Sequence, residues 1–217
     1  MEELSTVQRI AVWVLPVIFA ITVHEVAHGW VANRLGDPTA KMMGRLTLNP
    51  IKHIDLIGTL LVPGVLVLLG GFIFGWAKPV PVTWENLRKP KRDVALVALA
   101  GPGANLLMVV LWAIFLKVGL ILGASGSPLA TPMVLMGDAG IIINIILMVL
   151  NLLPIPPLDG GRVLVSMLPA SLAWKVSKIE PYGLFIILGL MFIGVLSWIM
   201  TGPVTGLRNA ILALVSF

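Results

Sequence analysis

Residues 10–31 read IAVWVLPVIFAITVHEVAHGWV, an apolar run broken only by Pro16 and by His24, Glu25 and His28. About 20 such residues cross a bilayer as a helix, so the run predicts a membrane span. The rest of the chain extends this reading. Of 217 residues 58% are hydrophobic and 12% charged, whereas a soluble domain carries about 25% charged residues. Further apolar runs lie at 56–76, 94–122, 133–153, 183–200 and 207–217. The fold expected is all-α, a polytopic transmembrane helix bundle, with residues 1–217 forming a single membrane-embedded domain. The first run is kept as a true span because Glu2 and Glu3 stand where a cleaved signal would need positive charge.

The net charge of +5 does not point to nucleic acid. The basic residues sit in short loops between apolar runs, as the positive-inside rule expects. Basic loops flank run 56–76 on both sides, including Arg88-Lys89-Pro90-Lys91-Arg92. A simple span would place one of them outside, so a re-entrant hairpin bending near Pro63-Gly64 is expected. The uncharged 123–132 loop then falls outside, and 154–180, with Arg162, Lys175 and Lys178, falls inside. The N-terminus is accordingly extracytoplasmic. Met108, Trp112 and Trp198 are read as packing and interfacial anchors.

Chemistry concentrates in His24-Glu25-Val26-Ala27-His28. Residues four apart share one face of a helix, so both imidazoles can reach one metal ion. Glu25, beside the first of them, can act as a general base without binding the metal. Two histidines and a glutamate in an apolar span are costly to bury, and by default they mark function. There is no cysteine, so nitrogen and oxygen must hold the metal. A catalytic zinc takes three protein ligands and keeps one position open. His53 and Asp159 are the candidates for the third. Asp159 is favoured: it follows Pro154, Pro156 and Pro157, which forbid regular helix, and precedes Gly160-Gly161, where the backbone can turn sharply. An alternative role for Asp159 is the N-cap of a helix starting near Arg162. Two neutral imidazoles and one carboxylate leave one zinc ion at +1, close to the neutrality a low-dielectric site favours.

At these motifs the sequence resembles the site-2 protease family of intramembrane zinc metalloproteases, peptidase family M50, in a short form without a PDZ domain. The resemblance rests on His24–His28, on Ala100-Gly101-Pro102 with Asn105, and on Asn151-x-x-Pro154-x-Pro156-x-x-Asp159-Gly160. The segments Gly44–Pro50 and His53-Ile54-Asp55 fit the same pattern. It implies zinc held by His24, His28 and Asp159, water activated by Glu25, and a substrate-binding role for Asn151. It further implies transmembrane protein substrates, a bacterial plasma membrane and an active site towards the cytoplasm. The HExxH lies in the first apolar run, so a helix preceding that span, found in relatives, is not expected here.

Such a substrate must unwind before hydrolysis, and either the 154–157 segment or Trp76–Val82 could pair with it as an added strand. The plainer reading is that the prolines only shape the turn that holds Asp159. Two competing functions make different demands. A prenyl-protein type of membrane protease needs a glutamate ligand, for which only Glu85 and Glu180 remain downstream. A metal transporter or sensor would use His24 and His28 but has no need of Glu25.

Overall fold

The computed structural model describes residues 5–61 and 75–215. Among them there is no strand, and four helices are long and apolar enough to cross a membrane. Helix α1, Thr6–Leu35, starts where the Ser5 hydroxyl accepts from Gln8 N and the Gln8 side chain accepts from Ser5 N, a reciprocal cap that satisfies two orphan donors. It ends at Gly36, whose φ of 117° suits a residue without Cβ and whose N–H returns to Ala32 O.

The polar stretch after α1 carries the short helix α2, Thr39–Met42, a 3-10 turn at Pro50–His53 and a π-type turn at Leu56–Leu61. Residues 75–83 are irregular, with Pro79 and Pro81 holding φ near the extended range. Two contacts fasten this segment: Arg45 Nη2 donates to Lys78 O at 2.9 Å, and Lys78 N donates to His53 O at 2.9 Å. Buried Asp37 ties its far end to the end of α1. Its carboxylate accepts from Thr39 N and the Thr39 hydroxyl, from Thr83 N at 2.8 Å and from Asn86 Nδ2 at 3.0 Å.

Burial alone would raise the Asp37 carboxyl, but these donors outweigh it and hold it below the ordinary value. A depressed folded value means the carboxylate stabilises the fold above its unfolded pKa of about 3.9, with the contribution lost as pH falls through the folded value. Asp37→Ala should therefore cost about 2 kcal/mol at neutral pH, since it removes the charged acceptor of several part-buried donors. Thermal unfolding in detergent should show the gap to wild type narrowing as pH approaches the carboxylate range.

Helix α3, Pro90–Ala124, opens with proline at its first position, where the missing N–H costs nothing. It runs antiparallel to α1, with Val97 beside His28 and Asn105 beside His24. Helix α4, Ala130–Asn151, returns along α3, and glycines let the two backbones close. A Cβ on Gly137 would come within 2.6 Å of Leu116 Cβ, and one on Gly140 would strike the Trp112 ring. Small residues at membrane helix interfaces allow this approach.

After the loop at 152–158 come α5, Asp159–Met167, α6, Ala170–Ser177, and α7, Gly183–Phe192. Helix α8, Val195–Val215, packs its end on a core of Val109, Ala113, Leu116, Ile141 and Ile145. Arg208 pairs with Asp138 at 2.8 Å, and Lys117 Nζ caps Val215 O at 2.7 Å.

The C-terminal runs differ from expectation. The sequence predicts spans at 183–200 and 207–217, whereas the chain breaks at Ile193-Gly194 and then stays helical through Pro203. Gly194 takes the positive φ, 77°, that a sharp break requires. Pro203 lies inside α8, where the hydroxyls of Thr201 and Thr205 donate to Ser197 O and Thr201 O.

Helices α1 and α4 thus run one way and α3 and α8 the other. Segments 36–61, 75–89 and 152–194 share one side, where 12 of the 15 Lys and Arg fall if those in the adjoining turns of α1 and α3 are counted. The expected bend at Pro63-Gly64 lies outside the described residues. The two ends of that run do meet: Trp76 N donates to Gly58 O at 3.0 Å, and the Thr59 hydroxyl donates to Trp76 O at 2.9 Å.

Candidate metal centre

One turn of α1 stacks His24 and His28, with ring centroids 4.6 Å apart. Their Nε2 atoms lie 3.0 Å from each other and each lies 3.3 Å from Asp159 Oδ2. Among the described residues this is the one group of three or more His, Asp or Glu side chains close enough to hold a metal ion. His28 Nδ1 sits 2.7 Å from Val97 O. A carbonyl only accepts, so the proton is on Nδ1 and Nε2 presents a lone pair. His24 Nδ1 faces Asn105 Oδ1 at 2.6 Å, which assigns it the same tautomer.

Two lone pairs and a carboxylate oxygen therefore converge with no proton among them, and buried Asp159 Oδ2 has no hydrogen-bond partner. Such a cluster calls for a cation. Bonds of 2.0–2.1 Å in a tetrahedron put neighbouring ligand atoms about 3.3 Å apart, close to the separations observed. Space is left for an ion as well: a Cβ on Gly101 of α3 would collide with Nε2 of both histidines. The residues present fit zinc.

Asp159 is the first residue of α5 and Leu158 is its N-cap, so the alternative of Asp159 capping a helix near Arg162 does not hold. Nor do Gly160 and Gly161 form a sharp turn. Both are helical without positive φ, and their small size lets the proline loop lie on the helix start. A Cβ on Gly160 would meet Leu153 O at 2.5 Å, and one on Gly161 would meet the Ile155 carbonyl carbon at 2.5 Å.

Glu25 stays out of the ligand cluster, and its Oε2 accepts from Val80 N at 2.8 Å. It faces a cavity of about 130 Å³ whose walls include both histidines, Val80, Asn151, Asp159 and Arg162. Asn151 ends α4 and donates from Nδ2 to Leu147 O at 3.0 Å. His53 is buried elsewhere, with Nε2 on Thr47 O. Glu180 pairs with Arg162 at 3.5 Å, and neither it nor Glu85 joins the cluster. Three features escaped sequence reading: Val80 N on Glu25, the room left by Gly101, and Asn144 behind Asn105. The first is a backbone group and leaves no mark in sequence. For the other two the available signals were a motif glycine and an asparagine inside an apolar run.

Comparison with known proteins agrees with this geometry. The model for peptidase family M50 matches residues 124–194, which carry Asn151 and Asp159. The chain is 38% identical over 207 residues to "Putative zinc metalloprotease YwhC" of Bacillus subtilis (strain 168), covering 94% of this chain and 90% of that one. It is 31% identical over 179 residues to "Putative zinc metalloprotease Rip2" of Mycolicibacterium smegmatis, covering 80% of this chain and 64% of the relative. The Rip2 protein of Mycobacterium tuberculosis (strain H37Rv) is 29% identical over 205 residues, with 89% and 73% covered. No solved structure gives a significant match. Two histidines and an aspartate close enough to hold a metal ion, in a bundle of membrane-length helices and in a sequence this close to YwhC, have one family reading: the chain belongs to peptidase family M50, the site-2 protease family of membrane zinc metalloproteases.

Proposed function

We propose that the chain is an intramembrane endopeptidase that holds one zinc ion on His24, His28 and Asp159 and cleaves transmembrane proteins within or near the bilayer. The supporting observation is the meeting of three ligand atoms at 3.0–3.3 Å, with Glu25 beside them, at the end of a membrane-length helix. Zinc bound there supplies a Lewis acid that lowers the pKa of water and polarises a carbonyl. Glu25 takes the proton from the attacking water and passes it to the leaving amine. The Val80 N–H holds one Glu25 oxygen and leaves the other for that exchange. Asn151 spends one amide hydrogen on Leu147 O, which leaves its Oδ1 and second hydrogen for the substrate.

Residues 1–217 act as a single domain in this reading. The side rich in Lys and Arg faces the cytoplasm of a bacterial cell, so the active site opens towards that face. Run 56–76 enters and leaves on that side, and its meeting ends, Gly58 and Trp76, favour the re-entrant form. Neither segment suggested as a strand partner offers a run of free donors. Lys78 N and Val80 N are used internally, Pro79 and Pro81 have none, and Ile155 N bonds Leu153 O. This favours the plainer role of the prolines, shaping the loop that seats Asp159.

The test is hydrolysis of a single-span substrate by the purified chain in liposomes. Cleavage should stop when a chelator strips the zinc and return when zinc is restored. Cleavage at full rate by metal-free protein would refute the proposal.

A further inference from the structure

Behind the metal cluster the bundle buries two side-chain amides completely, Asn105 in α3 and Asn144 in α4. Together they form a chain of hydrogen bonds that begins on main-chain carbonyls and ends on His24. Asn144 Nδ2 donates to Gly140 O at 2.8 Å. That carbonyl can only accept, so Asn144 must present its Oδ1 to Asn105. Asn105 Nδ2 answers that oxygen at 2.9 Å and also reaches Ala20 O at 3.3 Å. The Asn105 oxygen is thereby turned to His24 Nδ1, 2.6 Å away. Facing an acceptor, Nδ1 keeps the imidazole proton, and Nε2 is left bare on the side of Asp159. Flipping the amides would set oxygen against oxygen at both Gly140 and Ala20.

We propose that Asn144 is a positioning residue for the metal centre, fixing the Asn105 amide and through it the tautomer of His24. The proposal rests on the reading that His24 is a zinc ligand. The two histidines differ in what holds them. His28 leans on a main-chain carbonyl, which has no second orientation. His24 leans on an amide, which has two, and Asn144, with the shorter bond, selects between them together with Ala20 O. Groups that orient a ligating histidine through its far nitrogen tune metal affinity without touching the metal. The plainer role for a buried membrane asparagine is polar glue between helices, and the experiment separates the two.

Asn144→Leu removes the nearer of the two acceptors of Asn105 Nδ2 and leaves only the longer bond to Ala20 O, so the amide is held less firmly and its flipped form, with NH₂ towards His24, gains population. This selects the tautomer whose Nε2 carries the proton and cannot bind metal. Chelator competition on the full chain in detergent should show zinc affinity weakened roughly 10–100-fold. In zinc-loaded, ¹⁵N-histidine-labelled protein, the His24 Nδ1–H signal should exchange faster than in wild type, while that of His28 stays unchanged. A variant that loses thermal stability but keeps wild-type zinc affinity and the His24 signal would overturn the proposal and leave Asn144 as glue. Should Asn144→Leu not fold, Asn144→Ala takes its place. The wild-type zinc form also decides by itself, because absence of a hydrogen-bonded His24 Nδ1–H would overturn the relay. Both readouts are independent of hydrolysis, so they stand whether or not the protease reading holds.

Discussion

Glu25→Gln should abolish hydrolysis, lowering the rate by about a thousandfold or more, at the upper part of the range for loss of a general base. It should leave zinc binding and the fold intact. Glu25 lies outside the ligand cluster, and its one hydrogen bond is accepted from Val80 N. A glutamine oxygen accepts that bond equally well, so residues 75–83 keep their anchor. What is lost is the proton acceptor alone. The measurement pairs cleavage of a single-span substrate with zinc content in the same preparation. A variant that still cleaves at near the wild-type rate would remove Glu25 from the chemistry. A transporter or sensor predicts the opposite pattern, with no cleavage in wild type and metal handling unaffected by the change.

The parts of this site that follow from local spacing were readable in the sequence. His24 and His28 had to share a helix face, and the apolar run around them had to be a span. Asp159 came from its proline and glycine neighbours and from the family pattern, although its local structure differs from that inferred. It is the first residue of a helix, and Gly160-Gly161 serve close packing and not a turn. The apolar runs at 183–200 and 207–217 left a gap at 201–206, whereas the helix runs through it. Pro203 stands inside the helix, while the less conspicuous Gly194 carries the turn.

Long-range partners were not readable. Val80 meets Glu25 from 55 positions away and Asn105 meets His24 from 81. In the first pair the donor is backbone, which any residue but proline supplies. Gly101 stood in a recognisable motif, yet its purpose shows only when a Cβ there is seen to fill the space beside both Nε2 atoms.

Removing the third ligand should have the second large effect. Asp159 contributes the only carboxylate of the cluster, and its Oδ2 is buried without another partner. Asp159→Ala leaves two neutral imidazoles to hold a divalent ion in a low-dielectric pocket, where an uncompensated charge is costly. Most of the metal should be lost and hydrolysis with it. The helix start should survive, because Leu158 and not Asp159 is its N-cap.

The most direct test of the whole account is therefore zinc per chain in purified wild type and in Asp159→Ala, each reconstituted with zinc before excess metal is removed. The account predicts about one zinc in the wild type, as for a single three-ligand site, and little in the variant. Full zinc in Asp159→Ala, or none in reconstituted wild type, would contradict it.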